Sequence, residues 1–106
     1  MAELENGPAE LSIETVPGTT PVLRLSGELD SSNVGRLEAT VASVLTAPPE
    51  RVVFEMSELR FMDSAGISVL VRLAAKVESV EIRDPSPIVR RVIEVTGLTG
   101  VLQVEP

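Results

Sequence analysis

Arg60-Phe61-Met62-Asp63-Ser64-Ala65-Gly66-Ile67-Ser68 is the stretch on which the fold turns. An apolar approach ends there in an acid, a hydroxyl and a glycine. Beyond them Ile67, Leu70, Val71 and Ala74 recur at helical spacing, with Arg72 and Lys76 turned away. The pattern predicts an amphipathic helix opening near Ser64. Upstream, Arg51-Val52-Val53-Phe54-Glu55-Met56 is a short, mostly apolar run, the mark of a central strand buried on both faces. Asp63 and Ser64 each qualify to cap the free N–H groups of the helix, and spacing alone does not choose between them. Gly66 sits in the first helical turn, where Gly costs roughly 1 kcal/mol relative to Ala. Its presence predicts close approach by another backbone, by a partner's side chain, or by packing within the domain.

Around this turn the remaining elements follow from periodicity and breakers. Leu11–Val16 alternates with period two and meets the turn-forming Pro17-Gly18-Thr19-Thr20-Pro21, after which Val22–Ser26 returns as the second arm of a hairpin. Gly27-Glu28-Leu29-Asp30 closes that strand. Ser31-Ser32-Asn33 offers N-caps for a helix with Val34, Leu37, Val41 and Leu45 on one side, ended by Pro48-Pro49. Val80–Arg83 reads as a strand, and Asp84-Pro85-Ser86-Pro87 as a helix start with Ser86 as cap and Pro87 in the first position. Ile88, Val92 and Val95 are expected on the buried side of that helix, Gly97 at its left-handed end, and Val101–Val104 as the last strand. The order implies an α/β fold: a mixed β-sheet with an initial hairpin and helices packed on it through right-handed crossovers. Residues 1–9 are expected to form a flexible leader and residues 10–106 a single domain.

Composition narrows the function. The 106 residues include no His and no Cys, which removes disulfides, the usual soft metal ligands, thiol nucleophiles and the ordinary base for a serine nucleophile. A net charge of −7 argues against a nucleic-acid partner, whose phosphates call for Lys and Arg. No apolar run reaches the roughly 18 residues of a membrane span, and the first residues lack a signal-peptide pattern. A cytoplasmic protein without membrane insertion is expected.

The serine on the strand-to-helix turn invites comparison with the Gly-x-Ser-x-Gly nucleophile elbow, but Met62 stands where the first glycine belongs. No phosphate-binding loop of the Gly-x-x-x-x-Gly-Lys type occurs either. The remaining chemistry is modification: a helix N-terminus favours a negative group such as a phosphate on Ser64. Ser31, Ser32 and Ser68 are alternative hydroxyls, with Ser68 one helical turn beyond Ser64 on the same side. Glu28, Asp30, Glu55, Glu58 and Asp63 form a conceivable divalent-cation set, against which stands their reading as solvated surface acids.

Four features together resemble the STAS domain family: Gly27-Glu28-Leu29-Asp30, the Asp-Ser-x-Gly signature within Phe61–Ile67, Asp84-Pro85-Ser86, and Thr96-Gly97-Leu98. The resemblance runs from about Leu11 to Val104. It implies a STAS-type sheet and a stand-alone anti-sigma factor antagonist, not an enzyme, with no cofactor. Such a protein, when unphosphorylated, binds an anti-sigma factor that is itself a serine-kinase-type ATPase. Phosphorylation ends the interaction, and a serine phosphatase restores it. Carried onto this chain, Ser64 is the phosphate acceptor, and Asp63, Ser64, Gly66, Gly27, Glu28, Asp30, Ser32 and Asn33 form the partner-binding face. The same family includes constitutive subunits of lipid or anion transport and stress-signalling complexes, which supply the alternative. Two departures stand out: Glu55 occupies what is usually an Asp or Asn at the end of its strand, and the step from the second helix to Val80 is short and lacks the usual Gly.

Overall fold

Leu11–Val16 (β1) and Val22–Leu29 (β2) pair antiparallel as the expected hairpin. Helix α1 (Val34–Val44), strand β3 (Arg51–Met62), helix α2 (Ser64–Ala74), strand β4 (Ser79–Arg83), helix α3 (Pro87–Val95) and strand β5 (Gln103–Glu105) follow. The structure is a computed structural model that describes residues 10–105. The expected leader, residues 1–9, lies outside the described residues, as does Pro106. No helix among the described residues is long and apolar enough to cross a membrane.

The sheet has the order β1-β2-β3-β4-β5, with β2 through β5 parallel and β3 central. Each crossover steps to the next strand in the same direction, so right-handed connections place all three helices on one face. One apolar core results, in which Leu23 and Leu25 of β2, Phe54 and Met56 of β3, and Val80 and Ile82 of β4 meet Leu37, Leu70, Leu73, Val89 and Ile93 of the helices. The short step after α2 is absorbed by ending the helix at Ala74 and bonding the N–H groups of Glu78 and Ser79 to the Glu50 carbonyl.

The opposite face carries a charge ladder. Glu14, Arg24, Glu55, Arg83 and Glu105 stand side by side across all five strands, alternating in sign. Directly opposed unlike charges each add a few tenths of a kcal/mol to about 1 kcal/mol, and like charges subtract similarly. Arg24 Nη1 lies 3.4 Å from Glu14 Oε1, whereas Arg83 leans along its own strand to Glu81 Oε1 at 3.7 Å. Glu55 therefore belongs to the middle of β3, not to a strand end.

Three expectations need correction. β3 runs six residues past Met56 because two irregularities interrupt its alternation. Arg24 stands opposite Glu55 but Ser26 opposite Glu58; Gly27 stands opposite Leu59 but Glu28 opposite Phe61. Each adds a residue to β3 and flips the following side chains, so Met56, Leu59 and Met62 are all buried at a spacing that hides the strand. On α3 the buried residues are Val89 and Ile93, while Ile88 and Val95 are 57% and 70% exposed. The hydrogen bond from Ser86 Oγ to the Leu59 carbonyl, 2.6 Å, anchors the start of this helix on β3. The last strand begins at Gln103, since Leu98–Gly100 forms a 3-10 turn after Gly97, which takes the expected left-handed conformation at φ 75°.

At the sheet's last edge, Glu105 is held above the usual glutamate range, chiefly by its hydrogen bond with Glu81, aided by desolvation. Such a carboxyl contributes stability below the ordinary glutamate value and loses it as pH rises through the raised one. Corrected amide exchange of β5 should therefore accelerate relative to β3 across that window. In Glu105→Gln, which keeps a donor and cannot itself ionise, the dependence should shrink; identical profiles in both proteins would refute the pairing.

Candidate functional site

Sites in parallel sheets gather at the carboxyl ends of the strands, where β2 and β3 here deliver the two segments singled out by sequence. A direct link joins them: the Asp63 N–H donates to the Leu29 carbonyl, 3.2 Å. Side chains reinforce it. A Cβ on Gly66 would stand 2.7 Å from Leu29 Cδ2 and 2.7 Å from Met62 Cγ, both on fully buried side chains. The close approach predicted for Gly66 is met by internal packing, and this buried residue supports the turn from beneath.

Asp63 settles the question of the cap. Its backbone is extended (φ −102°, ψ −171°) and its Oδ1 accepts from the Ala65 N–H at 2.9 Å. Ser64 is then the first helical residue, exposed, and its hydroxyl makes no hydrogen bond among the described residues. An acid caps, so the hydroxyl is left without a bonding duty in the turn. Ser68, also exposed, donates its hydroxyl back to the Ser64 carbonyl, 3.0 Å.

The β2–α1 loop is held by its own polar groups. Gly27 has φ 95°, and a Cβ there would overlap the Glu10 carbonyl oxygen, so only glycine fits. The neighbouring Glu28 N–H donates to that carbonyl at 2.8 Å. Asn33, expected both as a cap and as a partner contact, is buried, stands at the N-cap position and gives the helix no side-chain cap bond. Its Nδ2 donates to the Glu28 carbonyl, 2.9 Å, and its Oδ1 accepts from the Asp30 N–H, 3.0 Å, which folds the loop on itself. Asp30 Oδ1 accepts from the Ser32 hydroxyl at 2.5 Å and the Ser32 N–H at 2.9 Å. The Ser32 hydroxyl bond, followed by its N–H bond, holds the Asp30 carboxyl below the usual carboxylate range. Glu28 reaches Arg60 Nη2 at 3.8 Å, with both side chains largely in solvent.

Glu28, Asp30, Ser31, Ser32, Asp63 and Ser64 therefore share one end of the sheet, while Gly27, Asn33 and Gly66 shape it. The acids do not converge as a cation site: Asp30 and Asp63 serve their loops, Glu55 accepts from the Ser57 hydroxyl at 3.0 Å, and no metal-holding group of three occurs among the described residues. Sequence reasoning missed one exposed residue beside the face, Phe61, which the second irregularity in β3 turns outward to 43% exposure. The spacing of Met56, Leu59 and Met62 was the available signal.

Residues 14–104 match the family described as "Mlab, STAS domain". The chain belongs to the STAS family. An anti-sigma F factor antagonist from Lysinibacillus sphaericus is 32% identical over 91 residues, covering 81% of this chain and 78% of that one. Among solved structures, the unphosphorylated form of the anti-sigma factor antagonist SpoIIAA matches this STAS domain with a TM-score of 0.74 and 27% identity, over 90% of this chain and 87% of that one. The phosphorylated form of the Bacillus cell fate determinant SpoIIAA matches at 0.67 and 26%, over 90% of each chain. An anti-sigma factor antagonist from Mycobacterium paratuberculosis, 24% identical over 93% of this chain and 86% of that one, shares the STAS fold at a TM-score of 0.80.

Two variants separate the roles at the turn. Asp63→Ala should lose about 1 kcal/mol of stability through the missing cap, and Asp63→Asn, which still accepts from the Ala65 N–H, should lose a few tenths; equal losses in urea titrations would show that charge, not capping, matters. Gly66→Ala should be destabilising by about 1 kcal/mol, because overpacking against Leu29 and Met62 outweighs the helix-propensity gain. A stabilised variant would show that this contact has slack.

Proposed function

We propose that the chain is an anti-sigma factor antagonist, a regulator and not an enzyme, that works as a phosphorylation-controlled docking protein. In the unphosphorylated state its strand-end face binds an anti-sigma factor of the serine-kinase-type ATPase class and thereby frees the sigma factor. Phosphorylation of Ser64 by that partner ends the interaction, and a serine phosphatase renews it. The observation that carries this reading is the unengaged, exposed Ser64 hydroxyl in the first position of α2, with capping already supplied by Asp63. The names of the relatives, among them a protein described in both unphosphorylated and phosphorylated forms, support it.

The electrostatics make the switch one of docking, not folding. A phosphate adds about −1.5 to −2 charge and three strong acceptors. At the start of α2 the helix dipole favours that charge by about 0.3–1 kcal/mol, so the domain keeps its fold. On the surface the phosphate joins Asp63, Asp30 and Glu28 on an already acidic chain, and a partner must desolvate it or be displaced by its bulk. The proposed face thus loses affinity while its scaffold stays intact.

Mass spectrometry and pull-down from the native cell test this, using wild type, Ser64→Ala and Ser64→Glu with and without phosphatase. Phosphate on Ser64, with an anti-sigma ATPase captured by wild type and Ser64→Ala but not by Ser64→Glu, is the expected result. An unmodified Ser64, with one membrane or scaffold partner held by all three, would overturn it in favour of a constitutive subunit.

A further inference from the structure

The chain has two phenylalanines, and the fold spends them differently: Phe54 is fully buried in β3, whereas Phe61 is 43% exposed. A regular strand would not present Phe61. From Leu59, whose side chain enters the core, simple alternation would turn Arg60 out, Phe61 in and Met62 out. The extra residue where Glu28 stands opposite Phe61 reverses this, so Met62 is fully buried and the phenyl ring faces solvent. Such irregularities commonly re-aim a side chain beside a functional site.

The ring's surroundings define what it fits. Glu28 is its cross-strand neighbour, Asp63 follows two residues later, and Asp30 follows Glu28 in the adjoining strand-end loop. Arg60, beside them, is already turned to Glu28. An apolar ring with the Glu28 carboxylate on the neighbouring strand complements an apolar pocket with a basic rim. Three chain steps lead from Phe61 to Ser64, a Cα span of at most about 11 Å. A standard interface of about 800 Å² per partner reaches roughly 30 Å across, so a partner seated on the strand ends is wide enough to reach both Ser64, at the start of α2, and Phe61, at the end of β3 on the sheet face turned away from the helices.

We propose that Phe61 is the apolar anchor of the docking face, inserted into a basic-rimmed apolar pocket on the anti-sigma partner. This rests on the docking function proposed above and goes beyond it in naming the contact that holds the partner before phosphorylation. The charge of Ser64 then acts as the release, and Phe61 as the grip.

Calorimetry with the purified anti-sigma ATPase of the same cell, using wild type, Phe61→Ala, Phe61→Leu and Ser64→Glu, separates the two claims. Truncating a hot-spot aromatic weakens binding by about 30-fold or more, so Phe61→Ala should do so, with Phe61→Leu keeping most of the affinity and circular dichroism unchanged for both. Undiminished affinity in Phe61→Ala, with Ser64→Glu still unable to bind, would overturn the anchor and leave the switch standing. Binding retained by Ser64→Glu but lost in Phe61→Ala would support the anchor and overturn the switch; no binding by wild type would overturn both. In the cell, a photo-crosslinking p-benzoylphenylalanine at position 61 should join the anti-sigma ATPase. Crosslinks confined to a second copy of this chain would contradict the assignment.

Discussion

The contact between Leu29 and the Asp63–Gly66 turn is the constraint on which the site depends. The Leu29 carbonyl accepts the Asp63 N–H, and the Leu29 side chain fills the space left by the missing Cβ of Gly66. Through these two interactions the end of β2 fixes the end of β3, so the β2–α1 loop and the start of α2 form a single surface. Gly27 and Asn33 complete the frame from the other side, one by admitting the Glu10 carbonyl, the other by bonding Glu28 and Asp30. Exposed groups can then vary in charge without moving the backbone beneath them.

Division of labour within the turn follows from this frame. Asp63 supplies the acceptor that the first turn requires, which leaves Ser64 without a structural duty and open to solvent. A helix start is one of the few places where a doubly charged group can be added without local penalty. Modification there changes what the surface presents far more than what the domain is. The opposite sheet face, with its alternating ladder from Glu14 to Glu105, keeps its charges balanced across neighbouring strands and apart from this change.

Much of this was legible in the residues. The element order, the hairpin, the helix opening at Ser64, the Ser86 cap and the left-handed Gly97 all follow from local rules of periodicity, capping and φ preference, and the structure has them. What escaped was set by pairing and burial. The far half of β3 was hidden because its two extra residues break the period of two on which strand reading depends. The buried side of α3 was partly misplaced because Ile88-Val89 and Val92-Ile93 are adjacent apolar pairs: Val89 and Ile93 are fully buried, Val92 packs against the core from its edge, and Ile88 is turned out. At the site, the candidate residues were found but their roles were sorted only by contact: Asn33 and Gly66 look like surface residues of a motif until their neighbours are known.

Affinity of the chain carrying stoichiometric phosphoserine at position 64 for the purified anti-sigma ATPase, measured against the unmodified chain alongside amide NMR spectra of both, tests the central claim most directly. The account predicts at least a roughly 100-fold loss of affinity, equivalent to about 2.7 kcal/mol, with chemical-shift changes confined to the start of α2 and the β2–α1 loop. Equal affinity for both forms, or loss of the native spectrum on phosphorylation, would contradict it.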